Sequence, residues 1–215
     1  MPNSERRAIP MKPFIAAALT LACLSAPAME KRCEAQPNTL SETEAKEGWR
    51  LLWDGRTADG WRGARSDAFP AKGWAIDNNT LTVLPRKEGG GGGDIITRQT
   101  FSNFILKVDF MLTEAANSGI KYLFDPQVND GTTLEYQVLC DKHKDAGQGR
   151  DGNRRVASFY DVMPAKDAKL KPAGEWNTAM IVSNGRKVEH WLNGEKVLEF
   201  ERGSAAFRAA VAASK

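Results

Sequence analysis

The stretch KVEHWLNGEKVLEF, residues 187–200, decides the fold class. Val188, His190 and Leu192 fall on one face of an extended chain, and Glu189 and Trp191 fall on the other. Alternation resumes over Lys196–Phe200, after Asn193-Gly194. Asn-Gly tolerates the positive φ angles of a two-residue type I′ turn, whose twist matches that of paired antiparallel strands. The stretch is therefore a β-hairpin.

The same punctuation extends outward. Upstream, the alternation predicts strands over Ala179–Val182, Val156–Val162, Leu134–Leu139, Ser118–Phe124, Phe104–Leu112 and Ile95–Thr97. Gly73–Ile76 and Thr80–Leu84 flank Asp77-Asn78-Asn79 as a second hairpin, and Trp49–Trp53 reads as a strand ended by Asp54-Gly55. Downstream, Ser204 caps a helix over Ala205–Ala213. About ten short strands with one terminal helix, and no repeat of propeller or solenoid length, predict an all-β sandwich or jelly roll.

Composition narrows the function. The chain has 215 residues, 30 Lys+Arg against 27 Asp+Glu, and a net charge of +3, with no basic block, so nucleic acid is excluded as a leading partner. Three cysteines, at positions 23, 33 and 140, have neither disulfide-scaffold nor zinc spacing. A Cys33–Cys140 bridge is the alternative to two free thiols. Six Trp read mostly as core and framework.

Residues 13–28 are apolar, preceded by Arg6, Arg7 and Lys12 and closed by Ala26-Pro27-Ala28. This order is that of a secretory signal, too short for a membrane span. Residues 1–28 are accordingly expected to direct export to the periplasm or medium, with translation starting at Met1 or Met11. Lipoprotein processing at Cys23 is the rival. Residues 29–45 form a polar leader, and the β-sandwich occupies 46–215.

Several polar positions stand out. The run Gly89–Gly93 lacks the Gly-Lys-Ser/Thr and the following helix of a phosphate loop, so it reads as a flexible loop before a strand. In Leu134–Leu139, Glu135 and Gln137 share one face while Leu134, Tyr136 and Val138 share the other. An acid and an amide side by side on a strand suit a polar face that holds a hydroxylated ligand, or else a solvated outer face. Asn117 opens the strand that carries Lys121. Asp141 and His143 follow Leu139 directly, and Arg155, Tyr160 and Asp161 lie in a mixed polar strand. His190, on an otherwise apolar face, reads as a hydrogen-bonded core residue or a weaker site candidate. No His-x-x-x-His or Gly-x-Ser-x-Gly motif is present.

Six blocks in order carry a resemblance: EGWRLLWDGRTADGW (47–61), TFSNFILKVDF (100–110), NSGIKYLF (117–124), LEYQVL (134–139), GNRRVASFYDVMPA (152–165) and the segment 174–208. Together they resemble the bacterial 3-keto-disaccharide hydrolase family, also described as 3-keto-glucoside 1,2-lyase / 3-keto-2-hydroxyglucal hydratase. The resemblance implies a concanavalin A-like β-sandwich and cleavage of 3-keto-glycosides by C2 proton abstraction, β-elimination and hydration. It further implies Glu135 and His143 as acid/base groups. Asn117, Lys121, Gln137, Asp141, Arg155, Tyr160, Asp161 and His190 would bind substrate, an oligosaccharide or glycoside bearing a 3-keto sugar. A divalent metal such as calcium is compatible with such sandwiches, although no ligand set is readable. Family members continue past SAAFR (204–208) with a linker and a closing strand. Neither is present here, so the resemblance implies a sandwich without its C-terminal closing strand. The same fold serves lectin-like binding modules and conventional glycosidases, and these are the alternative functions.

Overall fold

The computed structural model describes residues 36–85, 91–124 and 133–214. The expected signal segment and Cys33 lie outside them. Within them the elements run α1 (Glu42–Lys46), β1 (Trp61–Gly63), β2 (Trp74–Asp77), β3 (Thr80–Val83), β4 (Ile95–Thr97) and β5 (Phe104–Met111). They continue with β6 (Asn117–Tyr122), β7 (Leu134–Leu139), a short 3₁₀ turn (Lys144–Gly147), β8 (Trp176–Asn184), β9 (Lys187–Leu192), β10 (Glu195–Glu201) and α2 (Ala205–Ala212). Every pairing among the named strands is antiparallel.

One layer is the four-stranded sheet β10-β9-β8-β5, and β6-β7 forms the opposing layer. The all-β sandwich expected from the alternation is the fold observed. The β9–β10 hairpin turns on Asn193 and Gly194, at φ 51° and 88°, as the Asn-Gly dipeptide requires. The β2–β3 hairpin likewise turns on Asn78 and Asn79, both at positive φ.

Between the layers, Tyr136, Ile181, Val188 and Leu192 are almost fully buried. Phe159, Phe200 and Phe207 stack at the α2 end, with ring centroids 5.2 Å apart for the first pair and 5.9 Å for the second. Ser204 caps α2 by accepting from the Phe207 amide at 3.1 Å.

His190 sits at the centre of this core. It accepts at Nε2 from the Tyr122 hydroxyl at 2.7 Å and donates from Nδ1 to the Ala157 carbonyl at 2.8 Å. The Ala157 backbone oxygen can only accept, which fixes the proton of the neutral ring on Nδ1. Both ring nitrogens are occupied and none of the side chain is exposed, so His190 is a framework residue with no atom left for a sugar.

Three expectations are corrected. Trp49–Trp53 is not a strand. Asp54 accepts from the Arg56 and Thr57 amides, each at 2.8 Å, and this Asx turn bends the segment so that the Trp53 indole donates to the Thr57 carbonyl. Val156–Val162 is not a strand either. It pairs with β7 through Ala157 N to Gln137 O and Tyr160 N to Glu135 O. Ala157 and Asp161, at φ 63° and 61°, break that pairing into isolated bridges at Phe159. Finally, none of the six Trp is fully buried. Trp53, Trp61 and Trp74 brace loops instead, as when Trp61 Nε1 donates to the Leu52 carbonyl at 2.7 Å, while Trp49 and Trp191 donate to the carboxylates of Glu47 and Glu189. An indole N–H needs a partner, and loop carbonyls or nearby carboxylates at the edge of the core supply it.

Sequence reading also passed over two elements. Trp61–Gly63 pairs with β4. In the expected polar leader, Ser41 and Glu44 form a reciprocal capping box that starts α1.

Candidate functional site

The face of β6-β7 turned away from the core carries the polar side chains. Cross-strand register sets Lys121 opposite Glu135, Gly119 opposite Gln137 and Asn117 opposite Leu139. Residues opposite one another share a face, so Asn117, Lys121, Glu135 and Gln137 are brought together as expected. The intervening residues Ile120, Tyr122, Tyr136 and Val138 face inward and hold the layer on the core.

Glu135 lies across Gly119. A methyl group at Gly119 would stand 1.9 Å from Glu135 Oε1 and 2.7 Å from its carboxyl carbon. The absence of a side chain at Gly119 is what lets the carboxylate lie flat on the sheet. Lys121 Nζ bonds Asp94 Oδ2 at 2.7 Å. Burial pulls the Lys121 pKa down, but the Asp94 hydrogen bond and charge, with the charge of Glu135 added, outweigh it and raise the value. Lys121 is thus a firmly held cation beside the Glu135 carboxylate.

A chain of polar contacts continues from Gln137. Its Nε2 donates to Asn117 Oδ1 at 3.4 Å, and Asn117 Nδ2 donates to Asp145 Oδ2 at 3.3 Å. Gln137 is almost fully buried, so its amide is positioned rather than mobile. His143 starts the 3₁₀ turn as its N-cap, and its Nδ1 accepts from the Asp145 amide at 3.1 Å. Arg154 donates from Nε to Asp161 Oδ1 at 2.6 Å, and its guanidinium sits 5.9 Å from the centre of the Tyr160 ring. The charge of Asp145 also acts on Arg154, which links the Arg154–Asp161 pair to the His143 turn.

Two expected residues stand apart. Asp141 and Arg155 are exposed, and neither side chain has a hydrogen bond or ion pair among the described residues. With His190 in the core, three of the ten candidates lie outside the polar cluster.

Three members of the cluster were not anticipated: Asp94, Asp145 and Arg154. Arg154 precedes Arg155, and only the backbone path through Asp151 and Gly152, both at positive φ, selects which guanidinium turns inward. Asp94 reaches Lys121 because β1-β4 carries the chain after the glycine run, and no local pattern encodes that approach. In that run, Gly92 packs backbone to backbone against Lys72 and Gly73, leaving no room for a Cβ at Gly73 or Gly92.

Among the described residues, no three His, Cys, Asp or Glu side chains converge on one point as metal ligands, and no helix is long and apolar enough to cross a membrane. Cys140 is a buried free thiol. A shallow surface hollow near the β8–β9 turn is lined by Lys187, Glu199 and their neighbours. Those two side chains pair at 3.2 Å, so the hollow is an ion-paired surface, and none of its lining residues belongs to β6 or β7.

The profile of the 3-keto-alpha-glucoside-1,2-lyase-like domain matches residues 48–215. The chain is 37% identical over 186 residues to a 3-keto-disaccharide hydrolase of Bacteroides thetaiotaomicron; the match covers 79% of this chain and 64% of that protein, so the chain spans about two thirds of its curated relative's length. A candidate glycosyl hydrolase of Parabacteroides distasonis, of known crystal structure, is similar at TM-score 0.71 and 28% identity over 84% of each chain. A second from the same organism, at TM-score 0.52 and 24% identity over 66% of this chain and 72% of that one, shares the fold.

Proposed function

Since this chain belongs to the 3-keto-alpha-glucoside-1,2-lyase-like domain family, we propose that it cleaves the glycosidic bond of 3-keto-glycosides by elimination and hydration. The observation that carries this reading is the Glu135 carboxylate lying over Gly119 beside the cationic Lys121. A ketone at C3 acidifies the C2–H bond, and a carboxylate held beside a cation is suited to remove that proton. Glu135 takes the C2 proton, and the electron pair moves into a C2=C3 enolate. The enolate re-forms the C3 carbonyl as C1=C2 forms and the C1–O bond breaks. The proton that left C2 ends, by way of solvent, on the aglycone oxygen. Water then adds its hydroxyl to C1 and a proton to C2, so the net reaction is hydrolysis.

Asn117, Lys121 and Tyr160 orient the sugar hydroxyls in this scheme, and Gln137, almost fully buried, holds Asn117 in place through its amide. Arg154 braces Tyr160 and Asp161. The residues before 29 act as an export signal, which places the reaction outside the cytoplasm. A conventional glycosidase would need a second available carboxylate facing Glu135. Asp161 is committed to Arg154 at 2.6 Å, which disfavours it in that role.

The test is incubation with a 3-keto-glucoside and with its unoxidised parent in deuterated water. Cleavage of the keto sugar alone, with deuterium appearing at C2, is expected. Cleavage of the parent would replace this reading with a conventional glycosidase, and binding of either sugar without turnover would replace it with a lectin-like module.

Gly119→Ala provides a second expected result. The added methyl group displaces the Glu135 carboxylate, the flexible end of a side chain, so stability changes little while kcat falls. A misplacement of about 1 Å costs on the order of 100-fold. Steady-state kinetics beside a thermal melt measures both, and an unchanged kcat would remove Gly119 from the argument.

A further inference from the structure

The two histidines of this chain are held in opposite tautomers, and the difference bears on the chemistry. In the core, the Ala157 carbonyl holds the proton of His190 on Nδ1. In His143 the relation is reversed. Nδ1 faces the Asp145 backbone N–H at 3.1 Å, and an N–H can only donate, so Nδ1 must carry a lone pair. The Asp145 carboxylate lies 3.7 Å from Nδ1, too far for a hydrogen bond that would draw a proton there. That carboxylate instead accepts from Asn117 Nδ2 at 3.3 Å and feels the charge of Arg154. The neutral His143 ring therefore carries its single proton on Nε2.

A neutral imidazole in this state has its only lone pair committed to the backbone. It has no basic atom for substrate, and what it presents is an N–H donor. We propose that His143 acts as a neutral electrophile, donating from Nε2 to the C3 oxygen of the 3-keto sugar as the enolate develops, with Glu135 as the sole base for C2. A fixed N–H donor aimed at a carbonyl oxygen binds the developing oxyanion more strongly than the ketone, so its effect falls on kcat. No proton leaves His143; the C2 proton moves to Glu135 and the electron pair to the C3 oxygen. Asp145 is a positioning residue, because its backbone amide fixes the tautomer and its side chain ties the turn to Asn117 and hence to Gln137. This inference rests on the 3-keto-glycoside reading for the identity of the oxygen, but not for the tautomer.

The experiment has two independent arms on the full chain. Nitrogen-15 NMR of protein labelled in its histidine rings, at neutral pH, should show one Nδ1–H and one Nε2–H ring. The Nε2–H signals should vanish in His143→Gln. In parallel, kcat is measured on a 3-keto-glucoside for wild type, His143→Gln and His143→Ala. Glutamine restores an N–H near the Nε2 position without a titratable nitrogen, so it should retain activity to within about 10-fold. Alanine should lose on the order of 100-fold or more, mainly in kcat. An Nδ1–H ring at His143 would overturn the proposal, as would glutamine no better than alanine in an active background. Wild type that shows the Nε2–H ring yet does not turn over the keto sugar would instead overturn the underlying reading, and with it the assigned oxygen.

Discussion

Glu135→Gln lowers kcat on a 3-keto-glucoside by about 10²–10⁴-fold, the range expected for loss of a positioned general base. Glutamine matches the shape of glutamate, so it still fits over Gly119, where the space is limited by the sheet itself. It cannot accept the C2 proton at neutral pH. Lys121 keeps its hydrogen bond to Asp94, so the neighbouring cation is not released. Stability should therefore remain close to that of wild type, and the loss should be kinetic. The confirming measurement is deuterium exchange at C2 of the keto sugar, which should fall with kcat, because both depend on the same proton removal. A loss below 10-fold, or full exchange without cleavage, would assign the base to another residue.

His190→Ala has the largest expected effect on folding, a destabilisation of about 3–5 kcal/mol. It opens a cavity at the centre of the core and strands the Tyr122 hydroxyl and the Ala157 carbonyl, both now bonded to the ring. Ala157 also holds a left-handed φ of 63°, unusual for a residue with a side chain, and the His190 bond helps to keep it there. The segment that carries Tyr160 and Asp161 starts from that residue.

Burial pulls the His190 pKa down to about 4, with the Ala157 hydrogen bond opposing the shift in part. In the unfolded chain the ring titrates near its ordinary value of about 6.5. Between these two values the unfolded state binds a proton that the folded state refuses, so stability rises with pH through this window and falls as pH drops from about 6.5 to 4. The contribution is about 3 kcal/mol and is fully present above pH 7. His190→Gln, which can satisfy both partners without titrating, should be milder than alanine and should flatten that slope. Urea denaturation at several pH values checks both variants. An equal slope in wild type and His190→Gln would assign the acid sensitivity to the carboxylates.

The hairpins, the strand faces and the α2 cap were legible because each depends on a few neighbouring residues. Asn193-Gly194 needs only its own φ angles, Ser204 needs only the first turn after it, and the alternation in Leu134–Leu139 separates Tyr136 from Glu135 by the pleat alone. Val156–Val162 defeated the same logic because its alternation is real while its backbone is not extended. Ala157 turns left-handed between Gln137 on β7 and His190 on β9, partners distant in sequence, and Asp161 turns left-handed where it folds back on Asn153 and Arg154 of its own loop. The tryptophans were misread for a related reason. Residue type suggests burial, but the indole N–H goes where an acceptor is available: a loop carbonyl for Trp53, Trp61 and Trp74, a glutamate carboxylate for Trp49 and Trp191.

The sequence by itself determined the class of the protein: an antiparallel all-β chain with a polar face on the strand bearing Glu135 and Gln137, and with blocks in the order of its family. These properties follow from periodicity and turn stereochemistry, which act over two to four residues. The tertiary structure alone decided which polar residues meet. Long-range pairing brought Asp94 to Lys121 and set Tyr122 and Ala157 against His190. The folded backbone at Asp151 and Gly152 turned Arg154 inward in place of Arg155, and Asp141 was left in solvent. It also decided where each histidine carries its proton. A ring has no preferred side until the fold sets a carbonyl against one nitrogen or an amide N–H against the other, and only the packed chain sets Ala157 against His190 and the Asp145 amide against His143.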